Sequence, residues 1–100
     1  MVVEKDLRTE LLEQVQNADW AAIRPHLARD AVILVAPELD FLDTAVAVAR
    51  DDKTLVQAWI AQAQLAKPSR EQLAVWEKTP EMPFRFVIVA PFVLIQRVLN

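Results

Sequence analysis

Three carboxylates lie close together after the first long apolar run of the chain, at Glu38, Asp40 and Asp43. Carboxylate oxygens are ligands that Mg²⁺ prefers, and a pair of carboxyl groups can also divide acid–base work. Asp40 is equally suited to cap a helix whose third residue is Asp43, with Glu38 in solvent. Capping accounts for two of the three side chains. We therefore favour a structural role and keep a ligand site as the alternative.

A second polar group surrounds the single histidine of the chain, His26, which has Arg24 and Arg29 nearby. A histidine beside arginines can bind an anion, or act as a general base when a carboxylate orients it. The sequence identifies no such carboxylate, so a structural histidine is favoured here as well. The candidate ligand-binding residues are Arg24, His26, Glu38, Asp40 and Asp43. No residue is assigned to catalysis or to a metal.

Glycine and cysteine are both missing from the 100-residue chain. A phosphate-binding loop, a dinucleotide fingerprint and a serine nucleophile elbow need glycine where the backbone turns sharply or approaches a ligand. Thiolate zinc sites, redox dithiols and thiol nucleophiles need cysteine. These absences remove the most recognisable enzyme classes. We therefore expect no cofactor and favour a non-enzymatic function.

Charge and hydropathy argue against two further kinds of partner. The net charge is −3, so no overall attraction draws the chain to nucleic acid. The longest apolar run, residues 86–95, is interrupted by Pro91 and is much shorter than the roughly 20 residues of a membrane-spanning helix. The N-terminus becomes charged at once and has no apolar signal core. We expect a cytoplasmic protein that binds neither nucleic acid nor membrane.

The apolar pattern predicts one α+β domain over residues 1–100, with several helices packed on a short sheet. Residues 31–36 form a β-branched-rich run of strand length whose two faces should both be covered. Residues 84–96 give the strongest strand signal. Because Pro91 interrupts that signal, we expect one bent strand or two short ones, without a tight hairpin, since no residue there favours positive φ. Residues 92–99 also fit a short helix, and this alternative stays open.

Helical spacing predicts a first helix over residues 4–16 and a largely apolar helix over residues 41–50. Asp19 is suited to cap a short helix that bends at Pro25. Ser69, with a glutamine three residues later, has the spacing of a capping box that begins a further helix. Three tryptophans lie on apolar helical faces and are expected in the core: Trp20, Trp59 and Trp76.

The apolar fraction of 54% is high for so short a chain, and the surplus indicates self-association. A sheet of two or three strands has exposed edges, and long apolar edges invite pairing with another chain. The segment 84–95 is apolar apart from Arg85. We therefore expect a homodimer through this segment; the alternative is a monomer whose own helices cover both faces. The expected interface residues are Phe84, Phe86, Ile88, Phe92 and Leu94.

Several motifs follow one another in a distinctive order along the chain. They are Trp20–His26, the run 31–36, Leu39–Asp43 with Val46-Ala47, Trp59, Lys67–Ser69, Gln72-Leu73, Trp76, Phe84–Phe86 and Pro91–Leu94. From Leu11 to Gln96, this order resembles a family of short bacterial proteins known as domain of unknown function 2288. The resemblance implies a bacterial, cytoplasmic, single-domain protein and carries no activity or catalytic residue. Asp30 departs from the expected small residue or glycine before the strand.

The leading interpretation is a non-enzymatic, homodimeric interaction module, with room for an unknown protein partner. The alternative is a small-ligand- or metal-binding protein or enzyme that uses the acidic cluster after the first strand. Substitution of Asp40 separates the two. A helix cap loses about 1 kcal/mol of stability and no ligand affinity, whereas a ligand site loses binding while the fold survives.

Overall fold

The computed structural model describes residues 6–98, apart from the side chains of residues 28 and 29. Within this range the chain forms five α-helices, five strands and one 3₁₀ segment at Arg24–Arg29. The helices are α1 (Leu7–Gln14), α2 (Trp20–Ile23), α3 (Phe41–Ala49), α4 (Lys53–Ala61) and α5 (Arg70–Glu77). The strands are β1 (Gln16–Asp19), β2 (Val32–Val35), β3 (Leu65–Ala66), β4 (Pro83–Val89) and β5 (Phe92–Arg97). The α+β class predicted from the sequence is confirmed.

The strands form one mixed sheet in the order β1-β4-β5-β2-β3. β4 is antiparallel to both β1 and β5, β5 is parallel to β2, and β3 is antiparallel to β2. The two strands from the apolar C-terminal segment therefore lie at the centre of the sheet. The edges are the polar strand β1 and the two-residue strand β3, neither of which is a long apolar edge of the kind that invites pairing.

Strand alternation divides the apolar side chains between the two faces of the sheet. Along β5, Leu94 belongs to one cluster, while Val93 and Ile95 belong to the other. The first cluster contains Leu11 of α1 and Phe41 of α3, so these two helices cover the first face. The second cluster contains Phe84 of β4 together with Trp20 of α2 and Trp76 of α5, so these two helices cover the second face.

The polar residues that the sequence placed at helix starts occupy those positions. The side chains of Asp19 and Asp40 each accept a hydrogen bond from the backbone N–H three residues later. Ser69 and Gln72 form the expected reciprocal capping box at the start of α5. The helix predicted over residues 41–50 is α3. No helix within residues 6–98 is long and apolar enough to cross a membrane.

The structure corrects the prediction that no tight hairpin forms at Pro91. β4 and β5 pair antiparallel up to Val89 and Phe92, so only two residues connect them. The Ala90–Pro91 peptide bond is cis, and neither of these two turn residues adopts a positive φ. The segment is therefore two strands in a hairpin. Residues 92–97 form a strand, so the helix alternative is wrong for these residues.

Two strands and one helix boundary also differ from expectation. The first helix is expected to continue to Gln16 and to end at residues 17–19, but residues 16–19 form β1, which pairs with β4. The two-residue strand β3 follows α4 and was not predicted. The helix predicted over residues 4–16 is observed from Leu7 to Gln14, and residues 4 and 5 lie outside the described range.

Candidate functional site

A cleft of about 1040 Å³ lies between α5 and the end of the sheet formed by β2 and β3. Its apolar walls include Leu34 of β2 together with Val75 and Trp76 of α5. Arg97, the last residue of β5, also lines the cleft, as does Glu38 in the loop after β2. Small-molecule sites typically span about 300–1,000 Å³ and have mostly apolar walls with a few polar groups. The cleft therefore has the size and composition of a ligand site.

Arg97 is the most unusual group in this cleft. It is half-buried, and its Nε is buried without a hydrogen-bond partner among residues 6–98. No ion pair joins it to a carboxylate within the same range. Its guanidinium carbon lies 5.9 Å from the centre of the Phe84 ring, and Phe84 is its partner in the sheet register. The aromatic face stabilises the cation but leaves its charge unneutralised.

The rim of the cleft carries charges of both signs. Glu38 and Glu71 are exposed carboxylates that line it. Lys67 also lines it, and its Nζ lies 2.6 Å from a carboxylate oxygen of Asp30. The lysine charge is thus already paired within the chain, and the two glutamates leave the rim acidic.

The loop after β2 is held in place by the buried side chain of Gln96. The Nε2 of this residue donates hydrogen bonds of 2.9 Å to the carbonyl oxygens of both Ala36 and Leu39. These bonds satisfy two loop carbonyls and fix the backbone on either side of Glu38. One wall of the cleft is therefore anchored to the central strand β5.

Two smaller hollows share a wall at the tip of the β4–β5 hairpin. The first, of about 440 Å³, is lined by His26, Ile88, Pro91 and Phe92 among others. The second, of about 330 Å³, is lined by residues that include Ile60, Leu94 and again Phe92. Its lining among the described residues is apolar apart from Lys67. We refer to Ile60, Ile88, Pro91 and Phe92 together as the hairpin-tip surface.

Arg24, His26 and Glu38, three of the candidate ligand-binding residues, lie at three different places. Arg24 forms an ion pair with Glu77, with 2.8 Å between Nη1 and Oε2. His26 lines the first hollow of the hairpin tip, and Glu38 lines the large cleft. The structure therefore distributes these residues instead of gathering them around one cavity.

Asp40 and Asp43 share the first turn of α3, and each has a partner within the chain. Asp40 accepts the backbone N–H of Asp43 at 2.8 Å, as a cap does. The Asp43 carboxylate pairs with Arg8 of α1, and its hydrogen bond raises the pKa of that arginine above the ordinary value. No group of three or more His, Cys, Asp or Glu side chains within residues 6–98 is arranged to hold a metal ion. Ligand binding by this pair stays a prediction.

The expected interface residues differ in their access to a partner. Phe84 and Leu94 belong to the two core clusters and are almost completely buried within the chain. Phe86 is half-buried against the second cluster. Ile88 and Phe92 are exposed at the hairpin tip. A contact between folded chains can therefore use Ile88 and Phe92, while Phe84 acts only through the core.

Sequence reasoning did not single out Arg97 or the glutamine beside it. The signal available was the alternation of β5, which places Arg97 on the same face as Val93 and Ile95. A cation at the end of such an apolar row must reach solvent, meet an acid or contact a ligand. The neighbouring helix that completes the cleft is distant in sequence, so its position could not be inferred.

Comparisons with known proteins connect the chain to a family without an assigned activity. A family model described as "Protein of unknown function (DUF2288)" matches residues 6–97. The solution structure of PA1075 from Pseudomonas aeruginosa, determined by NMR, is similar with a TM-score of 0.77 and 30% sequence identity. The match covers 100% of this chain and 93% of that one. No curated protein matches the chain.

Proposed function

Because this chain belongs to the DUF2288 family of proteins of unknown function, no activity is inherited from its relatives, and we propose one from its surface. The protein is a non-enzymatic interaction module that forms a homodimer through the hairpin-tip surface. The observation that carries this proposal is the position of Phe92, an exposed aromatic residue that forms a wall of two adjoining hollows.

Exposed apolar side chains are concentrated around this position. Ile60, Ile88 and Phe92 are 55%, 52% and 40% exposed, respectively. Single exposed apolar residues are normal on protein surfaces, but contiguous apolar patches mark interaction sites. Ile88 has the strand parity of Phe84 on the second face and Phe92 that of Leu94 on the first, and the hollows that they line adjoin at Phe92 around the end of the hairpin. Burial of apolar area contributes about 25 cal/mol per Å², which favours covering such a surface.

We propose a second copy of the chain as the occupant of this surface. The second hollow is apolar and exposed apolar side chains lie beside it, so one patch offers both a recess and groups that can fill one. Twofold dimers are the commonest closed oligomers and use the same patch on both subunits.

The charges around the patch support the same arrangement. Lys67 lines the second hollow and Asp30 lines the first, so the rim carries one cation and one anion. Both side chains are exposed beyond half of their area. Because Lys67 and Asp30 pair with each other within the chain, they leave no excess charge of one sign that would repel a second copy. The other charged residues of the chain can lie outside the interface.

The experiment is sedimentation equilibrium of the wild-type chain and two single variants at micromolar concentration. Ile88→Asp places a carboxylate on the hairpin-tip surface, and Leu12→Asp makes the same change at a comparably exposed residue of α1, which is 59% exposed. The proposal predicts a dimer for the wild type and Leu12→Asp, and a folded monomer for Ile88→Asp. A monomeric wild type, or a dimer that persists in Ile88→Asp, contradicts it.

The alternative function, ligand binding at the acidic cluster, has a separate test. Asp40→Ala removes the carboxylate that caps α3. If Asp40 is only a cap, stability falls by about 1 kcal/mol and the protein binds Mg²⁺ no differently from the wild type in calorimetry. A saturable Mg²⁺ signal that disappears in Asp40→Ala, with the fold retained, would favour the alternative.

A further inference from the structure

We propose that the cleft beside α5 binds an apolar molecule that carries a single carboxylate, with the carboxylate paired to Arg97. The inference is independent of the proposed dimer, because none of the four hairpin-tip residues lines this cleft, which shares only Ala66 and Lys67 with the second hollow. It assigns a binding site and a class of ligand to the chain.

Arg97 lies in an electrostatic environment that favours an anionic partner. A half-buried guanidinium without an ion pair loses part of its hydration and gains no counter-charge in return. Phe84 offsets part of that loss through its ring face. The planar guanidinium suits a carboxylate, which it can bind through two parallel hydrogen bonds. A bound carboxylate would supply the missing counter-charge.

Arg85 shares one feature with Arg97 but does not line the cleft. Its Nε is also buried without a hydrogen-bond partner among residues 6–98. Arg85 shares the strand parity of Val87 and therefore lies on the other face of the sheet, and it lines none of the three cavities described above. An unpartnered Nε alone does not make a site. Arg97 combines that feature with a cavity large enough for a ligand.

The walls of the cleft determine the rest of the ligand. Leu34 and Trp76 present apolar surface beside Arg97, and Val75 adds an exposed aliphatic side chain from α5. Such walls favour a hydrocarbon or aromatic body, whose burial provides most of the binding energy. Uncharged polar residues also line the cleft, namely Gln62, Gln64, Ser69 and Gln72. One unpaired cation beside apolar walls therefore matches an amphiphilic molecule with a single charged end.

The acidic rim limits the charge of that ligand. Glu38 and Glu71 are exposed carboxylates that would repel a molecule carrying several negative charges. The charge of Lys67 is already paired with Asp30, so Arg97 is the cation available to the ligand. Nucleotides and other polyphosphates are therefore disfavoured relative to a monocarboxylate. The carboxylate can come from a free carboxylic acid or from the C-terminal residue of a peptide.

The test is an NMR titration of the full chain labelled with ¹⁵N, using octanoate as the probe and octanamide as its uncharged match. The resonances to follow are the Arg97 Nε–H and the Trp76 indole N–H. The proposal predicts that octanoate shifts both signals and that octanamide binds at least about tenfold more weakly, because it forms no charge-assisted pair. Equal binding of the two, or no shift with octanoate or with the peptide described below, overturns the proposal.

Two further titrations establish the charge and the source of the ligand. Adenosine monophosphate represents polyanions, and it should bind more weakly than octanoate; tighter binding overturns the monocarboxylate assignment. A short peptide ending in leucine represents the second source. Tighter binding of octanoate identifies a free acid, and tighter binding of the peptide identifies a chain terminus. Either result supports the pairing of a carboxylate with Arg97.

Variants connect the signal to the residue. Arg97→Gln should weaken octanoate binding by at least about tenfold, and Arg85→Gln, which changes the matched arginine on the other face, should leave it unchanged. Val75→Glu provides a second variant if Arg97→Gln fails to fold, because its exposed position tolerates a polar side chain. The new carboxylate should weaken octanoate by a similar factor. Equal losses in Arg97→Gln and Arg85→Gln, or unchanged binding in Val75→Glu, contradict the site.

Discussion

Trp20 donates its indole N–H to a carboxylate oxygen of Glu77, with 3.0 Å between Nε1 and Oε1. The indole is completely buried, and the carboxylate lies at the exposed end of α5. The second oxygen of Glu77 pairs with Arg24 at 2.8 Å. One carboxylate therefore joins α2 to α5 and holds two helices that cover the second face of the sheet.

This relationship predicts an ordered series of stabilities for Glu77 variants. Glu77→Ala removes the carboxylate that accepts from both Trp20 and Arg24. It leaves the buried indole N–H unpaired, so it should lower the free energy of unfolding most. Glu77→Gln keeps an oxygen that can accept from Trp20 and loses only the charge facing Arg24, so its effect should be smaller. Urea denaturation followed by tryptophan fluorescence measures both. Equal losses would mean that the indole bond contributes nothing.

The same carboxylate gives a pH dependence with a definite sign. The indole hydrogen bond, with a smaller contribution from Arg24, lowers the pKa of Glu77 in the folded chain. Its stabilising effect is fully present above the pKa of the unfolded state and is lost as the pH falls through the folded-state value. The difference in stability between the wild type and Glu77→Gln should therefore be largest at neutral pH and shrink in acid. A pH-independent difference would contradict this explanation.

Gln96 supports the wall of the cleft through two hydrogen bonds to loop carbonyls. Gln96→Leu preserves the approximate volume but leaves both carbonyls without this donor, which should cost about 1–3 kcal/mol in chemical denaturation. Hydrogen exchange of the backbone amides of Ala36, Glu38 and Leu39 should also become faster in the variant. Unchanged exchange there would show that the loop is held by other contacts.

Ala63 adopts a positive φ of 60° after α4, where its N–H and that of Gln64 bond to helix carbonyls. A side chain with a Cβ is disfavoured in this left-handed region. Ala63→Gly should therefore raise the free energy of unfolding by about 1 kcal/mol. Ala58→Gly within α4 is the matched control and should lower it by about 1 kcal/mol. A loss of stability in both variants would exclude relief of backbone strain at Ala63.

Local patterns were sufficient to predict the starts of three helices and the strand β2. The caps at Asp19, Asp40 and Ser69 follow from hydrogen bonding over three residues, so no distant part of the chain is needed to identify them. The β-branched run that forms β2 is similarly local. These features depend on interactions within one turn or one strand.

Features that depend on distant residues were not predictable in the same way. β1 is a polar strand without alternation, and it is defined by pairing with β4, which lies far away in sequence. The absence of glycine also led to a wrong prediction for the turn between β4 and β5. Asp30, Asp51 and Ala63 adopt positive φ, and the β4–β5 turn does not require it. The cleft itself needs β2, α5 and the end of β5 to come together.

The most direct measurement of the proposed dimer is an isotope-filtered NOE experiment on a mixture of labelled and unlabelled chains. The account predicts intermolecular NOEs between side chains of the hairpin-tip surface, with Ile88 and Phe92 among them. It also predicts none from Phe84, which is buried in the core of its own chain. Intermolecular contacts confined to another surface, or none at concentrations where the relevant resonances are observed, would contradict the account.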